Sequence, residues 1–365
     1  MPTCSPSNLN LVSHAGPITT EPPKIPTLPL LPPEILAQIF ALTTTLDSGV
    51  SIRSLLLVSQ LFHDICVPLK FRCLSLTTAS SIERLHQELE HLENSPAHLR
   101  KILHLYISLT QSDIQTHTEC DTISQIFCIL HSASETLQTL TIIYHNTLFS
   151  TSVLGRLFRN SLPVLTELTI HGLYPFPGRM PLTNSKLPTS MPSLEMDKSF
   201  MPMLERLHLS GNRNPYGLLQ LSSLDESFPS LSHLRISGLL MAGSFVREMK
   251  AALEEYTVCG GNPESYCDSL TYPPAKLPSK LQSVVLQPGY MPPPNRPGVA
   301  YAAKKDTWMM AQLKDIEVDA KRRQNVRVTL KNRMQDPDKV SVSSVLLSDW
   351  RGRMNGDEGC WRSVV

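Results

Sequence analysis

LPVLTELTI, Leu162–Ile170, places apolar side chains at Leu165, Leu168 and Ile170. The last two are two positions apart, the spacing that puts side chains on one face of a strand. The phrase recurs as MPMLERLHL, Met201–Leu209, and as FPSLSHLRI, Phe228–Ile236. All three share the proline lead-in, and glycine follows each at Gly172, Gly211 and Gly238. The bare spacing occurs three times more, at Ile102/Leu105/Ile107, Leu137/Leu140/Ile142 and Leu281/Val284/Leu286. Six copies of one strand-like phrase predict six half-buried strands built alike.

Helical spacing fills the intervals. Ile123, Ile126, Phe127 and Leu130 mark one helix, Val153, Leu154, Leu157 and Phe158 a second, and Phe245, Met249, Ala252 and Leu253 a third. Strand, turn, helix, strand is the unit of a solenoid, in which each repeat buries its face against its neighbours. The shorter intervals approach the leucine-rich-repeat period of about 20 to 29 residues, and the longer ones need inserted loops. Proline-rich stretches at 174–192, 272–278 and 287–298 supply those loops as extended surface segments. The predicted repeat domain covers 97–300. A last block, 301–365, reads as helix, basic segment, strand and a tail with Trp350 and Trp361, which would cap the open end of the solenoid.

The chain enters this array through LPLLPPEILAQIFALTTTL, Leu28–Leu46. Pro33 suits the first helical position, where its missing N–H costs nothing, and Glu34 favours the positive helix start. Ile35, Leu36, Ile39, Phe40 and Leu42 follow at helical spacing, and the DSG at Asp47–Gly49 ends the run. Leu55, Val58, Phe62 and Ile65 predict a second helix, which Pro68 stops before a short third turn through Phe71. Leu36 and Leu57 are expected inside this unit. Three such helices bury little by themselves and need a neighbour or a partner. Residues 1–27 read as a disordered Pro/Ser/Thr-rich tail without the features of a signal peptide. Residues 77–96 form a linking helix with an apolar stripe at Ile82, Leu85, Leu89 and Leu92 and a capping box at Ser80 and Glu83.

Composition narrows the function. The 365 residues carry a net charge of +1 and are 41% hydrophobic, which supports a real core and marks neither a nucleic-acid nor a membrane binder. No apolar run approaches the ~18 residues of a membrane helix. The basic stretch at 321–333 is mixed with acids and reads as a solvated face, so nucleic acid is not an expected partner. The eight cysteines form no CxxC pair, and a reduced, intracellular chain is expected. Cys259 and Cys267 lack the second pair that a zinc site needs, so neither metal nor cofactor is expected. His86, His91, His98 and His104 fall on polar faces and are expected in solvent. No nucleophile elbow, phosphate loop or HExxH is present, so the chain is not expected to be an enzyme.

LPPEILAQIF, the break, and LLLVSQLFHDICVPLKFRCLSL together resemble an F-box, carried by Leu31, Pro32, Glu34, Ile35, Ile39, Val58, Ser59, Phe62, Pro68 and Phe71. The resemblance covers residues 28–76; the break is longer than usual, and Phe62 stands where many members have tryptophan. With the repeats behind it and the DW…GCW tail at Asp349–Trp361, the layout is similar to the expanded F-box families of mushroom-forming fungi. The implied fold is α/β: a small three-helix F-box followed by an irregular leucine-rich-repeat-like solenoid. The implied function is that of the substrate receptor of an SCF ubiquitin ligase, cytoplasmic or nuclear. It docks on the Skp-family adaptor, and through it on cullin, and recruits a protein target not named by the sequence. Helix-in-groove docking assigns Leu31, Pro32, Ile35, Ile39, Val58 and Phe62 to the adaptor. Strand positions between the repeated leucines, Glu167, Glu205, Arg206, His208, His233 and Arg235, are expected to be exposed and to meet the target. The alternative is a non-catalytic repeat scaffold whose N-terminal helices only cap the solenoid. A cap would bury the Ile35/Ile39 and Val58/Phe62 stripes against Ile102–Ile107; a receptor would leave them in solvent.

Overall fold

Among the described residues eight strands run in the order in which the chain makes them: β1 (Cys73–Leu76), β2 (His104–Leu109), β3 (Thr139–Tyr144), β4 (Glu167–His171), β5 (Arg206–Ser210), β6 (His233–Leu239), β7 (Ser283–Pro288) and β8 (Arg327–Leu330). Each pairs in parallel with the next to give one sheet. They belong to a computed structural model that describes residues 31–46, 49–109, 119–175, 199–220, 223–258, 275–291, 299–323 and 326–361. The predicted tail, the cysteines at 259 and 267 and most of the proline-rich insertions lie outside those residues. Ten helices complete the α/β fold among the described residues: α1 (Pro33–Leu46), α2 (Val50–Leu55), α3 (Gln60–Cys66), α4 (Ala79–His91), α5 (Glu119–Ala133), α6 (Thr147–Leu157), α7 (Ser223–Ser227), α8 (Gly243–Val258), α9 (Val299–Arg323) and α10 (Val342–Met354).

The six phrases are β2 to β7, and the stretch after the basic segment is β8. β1 was not anticipated, although Phe71/Leu74/Leu76 has the same spacing as the other copies. The sheet therefore begins inside 28–76 and continues past residue 300, beyond both expected domain limits. Equivalent residues stand side by side. Leu74, Leu105, Leu140, Leu168, Leu207, Leu234, Val284 and Val328 form one row, with a second aliphatic row two residues further along each strand. A one-residue slip would turn a whole row to the other face, so the repeated spacing sets the register. Helices α4 to α9 cover this aliphatic face through Ile82, Ile126, Leu154, Leu224, Phe245 and Met309, all in one buried core. Gly211 ends β5 with φ +107°, and a Cβ there would land on the Gly172 carbonyl oxygen. Backbones of adjacent strand ends meet there, which is why glycine follows the phrase.

The linking helix is capped two residues earlier than its expected capping box. Thr78 is the N-cap: its hydroxyl accepts from the Ser81 N–H (3.2 Å), and the Ser81 hydroxyl accepts from the Thr78 N–H (3.3 Å). β1 ends at Leu76, so the chain must turn into the helix before Ser80, and Glu83 instead accepts from Gln87.

The opposite face of the sheet is polar. His104, Thr139, Glu167, Arg206, His233 and Ser283 make one row, and Tyr106, Thr141, Thr169, His208, Arg235 and Val285 the next. α10 and the turn Gly359–Trp361 lie across this face. The tryptophans therefore do not cap an open end: Trp350 packs on Tyr106 of β2 (5.7 Å between rings), and Trp361 stands 6.1 Å from His233. The array is instead extended by α9 and β8, whose Leu313 and Val328 continue the aliphatic core.

Helices α1 to α3 enclose a separate small core of Leu36, Phe40, Ile52, Cys66 and Leu69, with Phe62 against Phe40 at 4.9 Å. The Pro32 carbonyl accepts the first helical bonds, from Ile35 and Leu36. Hydroxyls of Thr43, Thr44 and Thr45 bond back to carbonyls three residues earlier near the helix end, and Gly49 adopts φ +81°. The expected second helix is two. The chain turns at Leu56–Val58, and Ser59 caps α3 by accepting from Phe62 N–H (3.2 Å). Leu57 sits on that turn and is 88% exposed, not part of the core.

Candidate functional sites

Two surfaces carry the residues singled out from the sequence. The first is the outer side of α1 to α3. Leu31, Pro32, Ile35, Ile39 and Val58 are all exposed, Ile35 and Ile39 at 42% each and Val58 at 62%. Phe62 is the exception: it is half-buried against Phe40 and belongs partly to the unit's own core. The division follows the helix period. Leu36 and Phe40 turn inward, while Leu31, Ile35, Ile39 and Leu42 follow one another at steps of four, four and three. Leu42, Val50 and Leu57 are further large apolar side chains in solvent here. Leu42 was legible as the next step of the stripe. Leu57 was not, because a helix drawn straight through Ser59 turns it inward.

The second surface is the polar face of the sheet. In-register pairing brings Glu167, Arg206, His208, His233 and Arg235 together there. They are not open to solvent as expected: Glu167, His208 and Arg235 are buried, Arg206 and His233 half-buried, and Glu205 alone is exposed. The C-terminal segment covers them. Arg353 Nε donates to Glu167 Oε2 (3.0 Å) and the Trp361 indole N–H to Glu167 Oε1 (3.0 Å), with Arg206 3.6 Å from the same carboxylate. Arg235 donates to the Cys360 carbonyl, to Gln287 Oε1 (2.7 Å) and to Ser237 Oγ (3.1 Å). Lys331 Nζ donates to the same Cys360 carbonyl (3.0 Å). Further along, the Ser343 carbonyl accepts from Tyr106 OH (2.9 Å), and the Ser343 hydroxyl stands 3.0 Å from His145 Nε2. Sequence reasoning assigned Trp361 a different place and missed Arg353 and Lys331, since nothing local points Arg353 to a strand 186 residues away or Lys331 to a carbonyl 29 residues further on.

Burial sets the protonation of this face. Desolvation brings His104 and His171 down to about 4, with the nearby His145 adding to the effect on His171. His104 is thus not a solvated residue: it sits half-buried on β2 with Nδ1 3.1 Å from Thr139 Oγ1. His208 is held well below its ordinary value by complete burial and then by Arg235. Its Nε2 meets Ser237 Oγ (2.9 Å), but its Nδ1 has no hydrogen-bond partner among the described residues. Burial and then Arg235 lower Lys331, and burial raises Asp349. The Cys360 thiol is pushed up to about 12 by burial and stays protonated at neutral pH, the opposite of an activated nucleophile. Fixed donors and acceptors, neutral imidazoles and an inert thiol suit recognition of a ligand.

A cleft of about 760 Å³ opens beside Trp361, lined among others by Arg206, His233, Lys321, Arg327, Arg353 and Glu358. Among the described residues no group of His, Cys, Asp and Glu could hold a metal ion, and no helix is long and apolar enough to cross a membrane. Compared with protein-family models, with curated proteins and with solved structures, the chain finds no match.

Proposed function

We propose that this chain is an F-box-type substrate receptor of an SCF ubiquitin ligase. Its N-terminal helices dock on a Skp-family adaptor and through it on cullin, while an irregular leucine-rich-repeat-like solenoid recruits the target protein. The chemistry of ubiquitin transfer belongs to the partners. The observation that carries the reading is the exposed stripe Leu31, Ile35, Ile39 and Leu42, on a helix whose other side already has its own core. An amphipathic helix of this kind supplies apolar anchors to a groove, and a stripe turned to solvent is what a receptor needs and a mere cap does not. Parallel strands in sequential order, with α4 to α9 on one face, support the solenoid.

The test is co-purification from a fungal extract of the intact chain beside an Ile35→Asp/Ile39→Asp variant, both shown folded by circular dichroism. Retention of the Skp adaptor and cullin by the wild type alone is the expected result. If the folded wild type retains neither, the N-terminal helices are a cap and the chain is a repeat scaffold.

A further inference from the structure

The C-terminal segment divides into two parts that differ in how they are held. α10 is clasped by apolar packing, with Leu346 and Trp350 buried against Cys73, Tyr106 and Ile143. The following stretch, Asn355–Trp361, has no aliphatic side chain, and its residues 355–358 are exposed. It is held on the sheet by two polar contacts, the Trp361 indole on Glu167 and the Cys360 carbonyl under Arg235 and Lys331. Gly356 and Gly359, both at positive φ, make its backbone turns.

We propose that the polar face of β4 to β7 is a peptide-binding site, and that Asn355–Trp361 occupies it in cis and keeps it closed to a tryptophan-bearing peptide of a partner protein. The identification of that partner as a ligase target rests on the proposed function; the site and its self-occupancy do not.

Three features support occupancy by a replaceable ligand. No residue of the tail belongs to the apolar clusters of the fold, and Cys360 is its one buried side chain, so opening does not require the sheet to unfold. Its contacts use a main-chain carbonyl and one indole N–H, groups that another peptide can present. The fit is also incomplete. Two cations converge on one neutral carbonyl oxygen, and the fully buried His208, whose ring lies 6.4 Å from that of Trp361, leaves Nδ1 unpaired among the described residues. A peptide with a hydrogen-bonding group for that nitrogen or a carboxylate for Arg235 and Lys331 binds better than the tail does. The cleft beside Trp361 gives it a place to enter.

Self-occupancy lowers the apparent affinity for any outside peptide by the fraction of time the site is open. The experiment is fluorescence anisotropy with a labelled synthetic peptide of residues 355–365, titrated with three full-length chains: wild type, Trp361→Ala, and Trp361→Ala with Glu167→Gln. The Trp361→Ala chain is expected to bind the peptide at least about tenfold more tightly than the wild type. Adding Glu167→Gln, or replacing the peptide's tryptophan by phenylalanine, should reverse that gain. Binding by the folded Trp361→Ala chain no tighter than by the wild type overturns the proposal. Hydrogen exchange on the wild-type chain tests it without a substitution. Residues 355–361 should exchange well ahead of β4 to β7, and faster still with excess peptide; exchange only in step with those strands would make the tail a fixed part of the fold. Neither measurement contains the adaptor, so failure here is distinct from failure of the docking surface.

Discussion

Ile39 and Phe40 are consecutive in sequence and opposite in environment, and exchanging each separates docking from folding. Phe40 is 5% exposed, with its ring 4.9 Å from that of Phe62, in a small cluster that among the described residues has five buried members. Phe40→Ala should cost about 3–5 kcal/mol, since so small a core cannot collapse to fill the space. Ile39 has somewhat more than half of its surface covered. Full burial of such a side chain is worth about 1.5–3 kcal/mol, and an aspartate keeps part of that contact. Ile39→Asp should therefore lower stability by about 1 kcal/mol, including its poorer helix propensity. Its effect on docking is larger. An unpaired carboxylate in an apolar groove costs several kcal/mol, and a loss of about 2.8 kcal/mol is already a hundredfold in affinity. Thermal unfolding by circular dichroism reads the first quantity, and calorimetric titration with a purified Skp-family adaptor reads the second. Adaptor binding by a folded Ile39→Asp chain within threefold of wild type would refute the docking surface. Unfolding as severe as that of Phe40→Ala would show that the stripe is packed inside.

Three further outcomes follow from the sheet. His104 and His171 titrate near 4 in the folded chain against about 6.5 when unfolded, so the unfolded state binds more protons between those values. Stability is fully present above pH 6.5 and falls as pH drops toward 4, by on the order of 3 kcal/mol for each histidine; urea midpoints at pH 7.5 and 4.5 should show the fall, and His104→Asn/His171→Asn should reduce it, the buried His208 keeping the remainder. Gly211→Ala forces a side chain onto the Gly172 carbonyl at positive φ. The backbone conformation alone costs about 1–3 kcal/mol, and an unchanged melting temperature would contradict the close approach. Leu207→Ala, in the aliphatic row, should cost about 2–5 kcal/mol, whereas Leu57→Ala should stay within about 0.5 kcal/mol; equal effects in denaturant titrations would mean that Leu57 is packed inside.

Much of this architecture was legible because its signal is local. The φ-x-x-φ-x-φ phrase states both that a strand forms and which of its faces is apolar, and copies of one phrase align in one register. The stripe on α1 was legible for the same reason, with Leu36 expected inside, whereas the inward turn of Phe40 was not anticipated. β1 escaped because its copy, Phe71/Leu74/Leu76, overlaps the end of the N-terminal motif. The break at Ser59 escaped because three- and four-residue spacings continue across it, although a serine three residues before Phe62 is an N-cap signal.

The residues between the repeated leucines show where local pattern stops. Alternation determines that Glu167, His208 and Arg235 leave the aliphatic face; it does not determine what they meet there. That depends on a segment some 125 to 194 residues further along the chain, brought back by the Trp350–Tyr106 contact and by hydrogen bonds to Glu167 and Arg235. Periodicity reports the face a side chain turns to, because that is a property of a few neighbouring dihedrals. Whether the face meets water or another part of the chain is settled by long-range packing, and here that packing covers the polar face and leaves the N-terminal stripe bare.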